Sequence, residues 1–428
     1  MIAPAREAAF KTLTAVTLHR RNSDDVLHST AVSALSERDR NLVTELLYGS
    51  LRWQLLLDHF ISSAVRRKMG EVDPRLIVLL RMSVYQLWRM ERIPAHAAVN
   101  DAVELAKGTA GTGASRFVNA VLRSLARLRP WEDADDVARL PAWVPLSVPK
   151  WLWERWRERF GEETARRFCA SLNSAPRSAI RVPPPDPPPP GFSASEIVPG
   201  AWVADGPGSS DPPRTPGRFR TQDEASQLVA CLPPVTPESR VWDACAAPGG
   251  KTAVLTERVG GASRVVASDR SLPRARRLTR TLRAWGFEAN VAVADARLGP
   301  PFKGGFDCVL ADVPCSGLGT LRRNPEIRWR LDPRRLAELS ALQRSILSAV
   351  SAAVRAGGYL LYSTCSTEPE EDELVVDSFL ETHRDFRLLE PSQPAGVRDW
   401  LDSRGFVRTY PSSRPWDGFF AALMVRES

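Results

Sequence analysis

From about Thr221 onward, short β-rich runs alternate with helical stretches, and this alternation constrains the fold more than any other feature of the chain. The candidate strands are 241–243, 265–269, 291–295, 308–312 and 359–363. Strands that alternate with helices predict βαβ units and a mostly parallel, doubly wound sheet. We therefore predict an α/β domain over residues 221–428, with a ligand bound at the carboxyl ends of its strands.

The first four strand candidates all end in aspartate: Asp243, Asp269, Asp295 and Asp312. A single aspartate at such a place is an ordinary turn residue or helix N-cap. Because the carboxyl ends of parallel strands meet at one edge of a sheet, four of them predict a crevice lined with carboxylates.

The part of the chain before this domain has a helical pattern. Apolar residues recur at helical spacing in two groups: Val43, Leu46, Leu47 and Leu51, and then Val118, Val121, Leu122, Leu125 and Leu128. We predict an all-α domain over residues 1–130. Residues 131–220 are interpreted as a helical and proline-rich linker, because the proline run at 183–190 favours extended polyproline II over a folded unit.

Composition limits the classes of partner. The formal net charge is +8, which suits a polyanion but is mild for 428 residues. Six cysteines without a CxxC pair, together with five histidines, predict no metal site. No apolar run approaches the roughly 18 residues of a membrane span, and the first residues do not resemble a secretory signal. We expect a cytoplasmic protein without a membrane or metal partner, and a monomer is the simplest expectation for its oligomeric state.

The segment after the first strand predicts a cofactor site. It consists of Cys245, Ala246, Ala247, Pro248, Gly249, Gly250 and Lys251. Small residues and paired glycines let the backbone approach a ligand closely, although an ordinary strand-to-helix turn is the alternative. Asp269 lies about 20 residues beyond the glycines, the spacing at which an acid hydrogen-bonds ribose hydroxyls. Since neither a GxGxxG nor a phosphate-loop pattern is complete, we expect S-adenosyl-L-methionine (SAM) and not a dinucleotide.

Two cysteines follow the fourth and fifth strands, Cys315 and Cys365, with Asp312 beside the first. This set suits methyl transfer to carbon 5 of a cytosine, which is too weakly nucleophilic to react unaided. A thiolate that adds to carbon 6 makes the ring enamine-like. Asp312 fits the acid near ring nitrogen 3. Cys315 fits a group that helps to remove the carbon-5 proton or to expel the enzyme, with its share left open.

At this point the residues resemble a known family, the RsmB/NSUN group of RNA 5-methylcytosine methyltransferases. The resemblance covers about the last 200 residues and rests on five motifs in order: DACAAPGGKT at 243–252, DVPCSG at 312–317, LRRNPEIRW at 321–329, YSTCS at 362–366 followed by Pro369-Glu370-Glu371, and Asp417-Gly418-Phe419-Phe420. Residues 95–100 and 117–123 resemble a NusB-type RNA-binding helical domain. A NusB-like domain before this catalytic domain is the RsmB arrangement, which implies small-subunit (16S) ribosomal RNA as the partner.

The resemblance also implies roles for single residues. It gives Cys365 the role of nucleophile and Cys315 that of assisting enzyme release. SAM contacts are implied from Cys245 through Lys251 and from Asp269, Asp295 and Asp312, within a Rossmann-like methyltransferase fold. In DNA cytosine methyltransferases the nucleophile lies in the Pro-Cys motif, so an exchange of the two cysteine roles is the main mechanistic alternative.

The chain departs from the family pattern at several places. Asp372 stands where asparagine is common, and prolines replace a small folded insert before Gln222.

Arg322, Arg323 and Arg328 lie beside the catalytic loop and are candidates for contacts to the target strand. The target cytosine has to be unpaired or flipped out of its stack.

Three other functions compete with this interpretation. The first is a cytosine-5 methyltransferase of transfer RNA or of another ribosomal site. The second is a NusB-like RNA-binding factor with an inactive methyltransferase domain, which the intact Cys315 and Cys365 disfavour. The third is an amino-group methyltransferase, whose Asp/Asn-Pro-Pro-aromatic motif residues 312–315 do not supply.

Overall fold

A computed structural model describes residues 2–182, 186–206, 219–287, 289–302, 305–412 and 416–427. The chain divides into two compact units. The first comprises Met1–Asn173 with Asn324–Arg330, and the second comprises Ser174–Arg323 with Leu331–Ser428. The predicted linker is thus shared between them, and a short segment beyond the DVPCSG motif belongs to the first unit.

The first unit is helical, as predicted. Its helices are Pro4–Thr17, Ser23–Leu27, Thr30–Ser33, Glu37–Arg52, Gln54–Ala64, Pro74–Arg89, Ala95–Leu128, Ala134–Arg139, Lys150–Phe160, Glu162–Ser171 and Ile327–Arg330. The long helix Ala95–Leu128 is interrupted at Ala110 and Gly111, where Gly111 has a φ of 81°. Glycine tolerates this left-handed conformation without a steric penalty, which explains why the helix is interrupted at a glycine.

The apolar periodicity in this unit marks its core. Val43, Leu46, Leu47 and Leu51 are all buried, and they face the same cluster as the helix that carries Val118 through Leu125. Leu128, which the same pattern places on the buried face, is 57% exposed. It is the last residue of its helix, and the chain turns away at Arg129 in a left-handed conformation.

The segment Asn324–Arg330 is built into the first unit by buried polar contacts. Arg328 is 1% exposed, and its guanidinium donates to the carbonyl oxygens of Ser147 (2.9 Å) and Leu172 (3.2 Å) and to Oδ1 of Asn173 (3.0 Å). The Trp329 indole N–H donates to the carbonyl oxygen of Leu51 at 2.7 Å. These side chains therefore serve packing within the unit. The hypothesis that Arg328 contacts RNA is wrong, because the guanidinium is buried and already bonded.

Replacing Arg328 with alanine is expected to lower the free energy of unfolding by about 3 kcal/mol, because buried carbonyl oxygens lose their donors. Urea unfolding of the full chain measures the change. The matched control is Arg334→Ala, since the Arg334 side chain is 88% exposed and its loss should cost less than about 0.5 kcal/mol. Equal losses from the two variants would contradict a structural role for Arg328.

The second unit contains two sheets. The strands, numbered along the chain, are β1 Ala179–Arg181, β2 Phe192–Ala194, β3 Ala201–Ala204, β4 Arg220–Thr221, β5 Val241–Asp243, β6 Val265–Asp269, β7 Asn290–Val293, β8 Phe306–Asp312, β9 Val354–Thr364, β10 Phe386–Leu388, β11 Val407–Arg408 and β12 Phe420–Arg426. The helices are Glu224–Cys231, Gly250–Arg258, Leu272–Ala284, Arg335–Ser351 and Glu373–Thr382, with short 3-10 turns between elements.

The smaller sheet corrects the interpretation of the proline-rich region as a spacer. Strands β1 to β4 form an antiparallel sheet in the order β2-β3-β1-β4. Residues 183–185 and 207–218 lie outside the described residues. A proline removes a ladder hydrogen bond only at its own position, so short strands can form on either side of a proline-rich run. Arg181 on β1 also pairs with Glu257 at 2.8 Å, which ties this sheet to the helix Gly250–Arg258.

The larger sheet is the predicted doubly wound α/β sheet. Its order is β10-β12-β9-β8-β5-β6-β7, with β11 paired to β12. Strands β5 to β9 pair in parallel, and β12 runs antiparallel to β9 and β10. Alternate residues of β8 face opposite sides, since Cys308 and Leu310 join one core cluster and Val309 and Ala311 join the other. The strand order reverses between β5 and β8, which is where such sheets bind ligands.

Within the described residues, no helix is long and apolar enough to cross a membrane. The same residues contain no cluster of three or more His, Cys, Asp or Glu side chains arranged to hold a metal ion.

Candidate active site

Three of the four predicted aspartates occupy the last position of a parallel strand. Asp243, Asp269 and Asp312 end β5, β6 and β8. Asp295 instead lies two residues beyond β7, where its carboxylate pairs with the Arg297 guanidinium at 2.5 Å. Hydrogen bonding to that arginine lowers the pKa of Asp295. The predicted strand 291–295 is therefore shorter at its end, because Asp295 caps a turn.

The loop after β5 approaches its neighbours closely. Gly249 has a φ of 108°, and a Cβ atom there would lie 2.7 Å from the Leu278 side chain. The next residue, Gly250, begins the helix Gly250–Arg258, and a Cβ on it would meet the Gln222 amide at 3.0 Å. Neither glycine can be enlarged without a shift of the surroundings. The backbone amides at the start of the helix therefore stand at the carboxyl end of β5.

Asp243 is buried under this loop. The Thr252 hydroxyl donates to its Oδ2 at 2.7 Å, while Oδ1 is buried and has no hydrogen-bond partner among the described residues. Burial raises the pKa of Asp243 to about 7, and the nearby Asp312 carboxylate adds to the effect. Asp243 thus anchors the segment after β5 through Thr252, while its Oδ1 remains without a hydrogen-bond partner among the described residues.

The raised pKa of Asp243 predicts a pH dependence of stability. The carboxyl titrates near 3.8 when unfolded and near 7 when folded, so the folded state binds the extra proton between these values. Its contribution to stability is complete below the lower value and is lost as the pH rises through about 7. As the pH rises from about 5 to about 8, we expect the free energy of unfolding to fall less in Asp243→Asn than in the wild type. Thermal unfolding of the ligand-free chain at several pH values measures this.

The control for that measurement is Asp332→Asn. Asp332 is exposed, and its bond to Arg334 lowers its pKa to about 2, so it does not titrate in the same range. The Asp332→Asn variant should follow the wild-type pH profile. An Asp243→Asn profile that is parallel to the wild type would contradict the assignment.

Asp269 and Asp312 are already engaged by neighbouring groups. The Ser271 N–H donates to Oδ1 of Asp269 at 2.9 Å, and the Arg274 guanidinium lies 3.0 Å from Oδ2. Lys251 Nζ lies 2.8 Å from Oδ2 of Asp312, and the Ser363 hydroxyl donates to Oδ1 at 2.8 Å. Each carboxylate oxygen has a second lone pair for a ligand. Lys251, in the loop after β5, and Asp312, at the end of β8, therefore form an ion pair.

The two cysteines predicted to cooperate are in contact. The sulfur atoms of Cys315 and Cys365 are 3.0 Å apart, at the ends of the adjacent parallel strands β8 and β9. The hydrogen bond to Cys365, burial and the charge of Glu371 raise the pKa of Cys315 well above its ordinary value. Cys315 therefore keeps its proton near neutral pH and can donate it to the sulfur of Cys365. Cys245, by contrast, lies in the loop after β5, where burial raises the pKa of its thiol.

Two arginines proposed as RNA contacts are occupied within this unit. Arg323 donates to the carboxylates of Asp223 (2.8 Å) and Asp417 (3.0 Å), and Arg322 donates to the Pro411 carbonyl oxygen at 2.6 Å. Arg322 is also 3% exposed. Their position beside the catalytic loop predicts RNA contacts, but the groups to which they are bonded lie far away in the sequence.

Sequence reasoning missed the polar residues that surround the two cysteines. The most important is Glu371, which is fully buried and accepts hydrogen bonds from Ser316, Ser366 and Gln343. The sequence does contain a signal for this polar cluster, since a serine follows each cysteine and Glu371 ends the Pro-Glu-Glu motif.

Comparisons with known proteins identify the family to which each part of the chain is similar. Residues 229–425 match the family described as 16S rRNA methyltransferase RsmB/F, and residues 3–127 match the NusB family. The chain is 33% identical to the "Probable ribosomal RNA small subunit methyltransferase B" of Synechocystis sp., over 99% of each protein. It is 32% identical to the "Ribosomal RNA small subunit methyltransferase B" of Pseudomonas putida, over 92% of each.

Solved structures show the same fold. The crystal structure of PH0851 has a TM-score of 0.77 at 26% identity and covers 100% of this chain and 99% of that one. NSun6 from Pyrococcus horikoshii with SFG has a TM-score of 0.57 at 20% identity, covering 65% of this chain and 98% of that one. Because the similarity to the Synechocystis and Pseudomonas relatives is at least 32% identity and extends over nearly the whole chain, the protein belongs to the RsmB/F family of 16S rRNA methyltransferases, with a NusB family domain at its N-terminus.

Proposed function

We propose that this protein transfers a methyl group from SAM to carbon 5 of a cytosine in small-subunit ribosomal RNA, with Cys365 as a covalent nucleophile. The observation that carries the proposal is the contact between the sulfurs of Cys315 and Cys365, 3.0 Å apart. They follow adjacent strands, and the Lys251–Asp312 pair lies at the end of one of these strands. A methyl transfer to nitrogen or oxygen would require no such pair of thiols.

The residues at the strand ends fit SAM as a ligand. The cofactor contains ribose hydroxyls, an amino group and a carboxylate, and the site offers acidic side chains for the first two. The amides at the start of Gly250–Arg258 suit the carboxylate, because helix N-termini favour anions. The unsatisfied buried Oδ1 of Asp243 supports a ligand at this edge. We assign the contacts to Cys245 through Lys251, with Asp269, Asp295 and Asp312.

When bound, SAM supplies an electrophilic methyl group and retains the electron pair of the broken bond on its sulfur. The work of the chain is to make carbon 5 nucleophilic. The Cys365 thiolate forms a bond to carbon 6 with its lone pair, and the ring π electrons move to carbon 5. Carbon 5 then forms its bond to the methyl group. A solvent base takes the carbon-5 proton, and the electron pair of that C–H bond restores the double bond between carbons 5 and 6. The carbon–sulfur bond breaks, and its electron pair returns to Cys365.

Asp312 stabilises the adduct in this proposal. As the thiolate adds, part of the negative charge develops at ring nitrogen 3, and a proton taken up from solvent and held between that nitrogen and Asp312 neutralises it. Lys251 and Ser363 hold the two oxygens of this carboxylate at 2.8 Å each, so its orientation is set before the base arrives. A preorganised group avoids the reorganisation cost during the reaction.

Cys315 has the role of assisting release. Its pKa is raised, mainly by the hydrogen bond to Cys365, so it is a protonated thiol before the reaction and a poor first nucleophile. It lies in contact with the sulfur that leaves carbon 6, and it can exchange a proton at that point.

Ribosomal RNA is the proposed partner, and the cytoplasm is therefore the proposed compartment. Exposed arginines on and beside the helix Leu272–Ala284 could contact phosphates outside the site. They are Arg270, Arg274, Arg276, Arg277, Arg280 and Arg283. The cytosine itself has to leave its stack to reach the two thiols.

The test uses an unmodified 16S rRNA transcript, a transfer RNA mixture and SAM with a labelled methyl group. We expect label in 16S rRNA as 5-methylcytidine, measured by nucleoside mass spectrometry, and one site lost from bisulfite sequencing of ribosomal RNA in a strain without the gene. Label in transfer RNA alone would overturn the choice of RNA, and label on an exocyclic amine would overturn the chemistry.

A further inference from the structure

The two cysteine segments share one buried carboxylate. The hydroxyls of Ser316 and Ser366, the residues that follow Cys315 and Cys365, both donate to Oε2 of Glu371 at 2.5 Å. The two hydroxyl oxygens are themselves 3.2 Å apart. One side chain therefore connects the loop after β8 with the loop after β9, immediately beside the pair of sulfurs.

The second oxygen of Glu371 holds the backbone around Cys315. The Ser316 N–H donates to Oε1 at 2.7 Å. The Gln343 amide also donates to Oε1, at 3.0 Å, and to the carbonyl oxygen of Pro314 at 2.9 Å. The residues on both sides of Cys315 are thus fixed through Glu371 and its partner Gln343.

The backbone around Cys365 is held in a similar way. Its carbonyl oxygen accepts from the Gly319 N–H at 2.9 Å, and the Ser366 N–H donates to the Thr364 hydroxyl at 3.2 Å. The Ser366 hydroxyl accepts from the Glu368 N–H at 3.1 Å while it donates to Glu371. A buried carboxylate makes stronger hydrogen bonds than a neutral acceptor, so this network resists separation of the loops.

We propose that Glu371 is a positioning residue that holds Cys315 and Cys365 at the separation the reaction requires. The inference rests on the proposed function, and it adds a residue that does not touch the reacting base. Since a displacement of about 1 Å at a reacting group can cost 10²-fold in rate, loss of this carboxylate should act mainly on kcat.

Three variants test the proposal. Glu371→Ala removes all the acceptors at once. Glu371→Gln keeps the shape: its carbonyl oxygen can accept from Ser316 and Gln343, and its amide can donate to hydroxyls that rotate. The control is Asp372→Asn. The Asp372 carboxyl is next to Glu371 in the sequence and is fully buried, and the side-chain hydrogen bond that the structure gives it comes from the Thr364 hydroxyl. Burial outweighs the Arg408 guanidinium 3.6 Å away and raises the pKa of Asp372 well above its ordinary value, so asparagine resembles its neutral form.

Two measurements follow each variant. The first is methylation of 16S rRNA, for which we expect kcat to fall about 10²-fold in Glu371→Ala and about tenfold or less in Glu371→Gln, with KM nearly unchanged. The second needs no RNA: diamide oxidises the two thiols to a disulfide, taking up their two protons and two electrons as it becomes a hydrazine. We expect disulfide formation to be at least about tenfold slower in Glu371→Ala. Asp372→Asn should behave as the wild type in both.

The outcomes separate this proposal from the function it rests on. Slow disulfide formation in Glu371→Ala supports the positioning role of Glu371. It does so even if the wild type does not methylate cytosine, and in that case only the proposed function fails. A wild-type disulfide rate in Glu371→Ala overturns positioning, whatever happens to kcat. Equal losses in Asp372→Asn would overturn it as well, because they would indicate general damage. If Glu371→Ala does not fold, Glu371→Gln and the double variant Ser316→Ala/Ser366→Ala give the same comparison.

Discussion

Replacing Cys365 with alanine is expected to abolish methylation of 16S rRNA, lowering kcat by more than about 10⁴-fold, the scale on which loss of a catalytic nucleophile acts. Carbon 5 of cytosine stays unreactive without the bond between sulfur and carbon 6. The binding of SAM should remain within about threefold, since the cofactor is assigned to the loop after β5 and to the strand-end carboxylates. Methyl incorporation measures the first effect, and isothermal titration calorimetry with SAM measures the second.

The matched control is Cys169→Ala. Cys169 is buried in the helical unit, so its replacement tests whether loss of any one buried thiol impairs the enzyme. We expect it to keep activity with a small loss of stability. Full activity in Cys365→Ala would overturn the covalent mechanism. Loss of SAM binding would show instead that the substitution damages the cofactor site.

The second large effect is expected from Cys315→Ala, which should accumulate a covalent complex between protein and RNA. Cys365 still attacks in this variant, but the thiol that lies 3.0 Å from it and assists release is missing. The variant is incubated with SAM and a labelled 16S rRNA transcript, digested with nuclease and run on a denaturing gel. We expect most of the protein to retain labelled nucleotide, against a trace for the wild type.

The double variant Cys315→Ala/Cys365→Ala is the control for this trapping. It should carry no label, because the attacking sulfur is gone. If Cys365→Ala trapped RNA and Cys315→Ala did not, the two cysteine roles would be exchanged, as in the arrangement that places the nucleophile in the Pro-Cys motif.

The sequence predicts the fold where β-rich runs alternate with helical stretches. The β-rich runs that end in Asp243, Asp269 and Asp312 are strands that pair in parallel within the larger sheet. The sequence does not predict the small sheet of β1 to β4, because its strands follow or flank prolines and no described helix lies between them to give an alternating pattern. Asp295 was placed within a strand, although it caps the following turn through its own bond to the Arg297 N–H.

The sequence by itself determined the chemistry available to this protein, since the two thiols, the strand-end carboxylates and the glycine loop are local patterns that follow consecutive strands. Only the tertiary structure decided how these groups are held. Glu371 reaches Ser316 across 55 positions, and Arg328 reaches Asn173 across 155. Such contacts depend on which segments of the chain become neighbours, and a buried carboxylate and a surface carboxylate look the same in a sequence. The folded chain alone shows that Arg322, Arg323 and Arg328 are structural and that one glutamate links both cysteine loops.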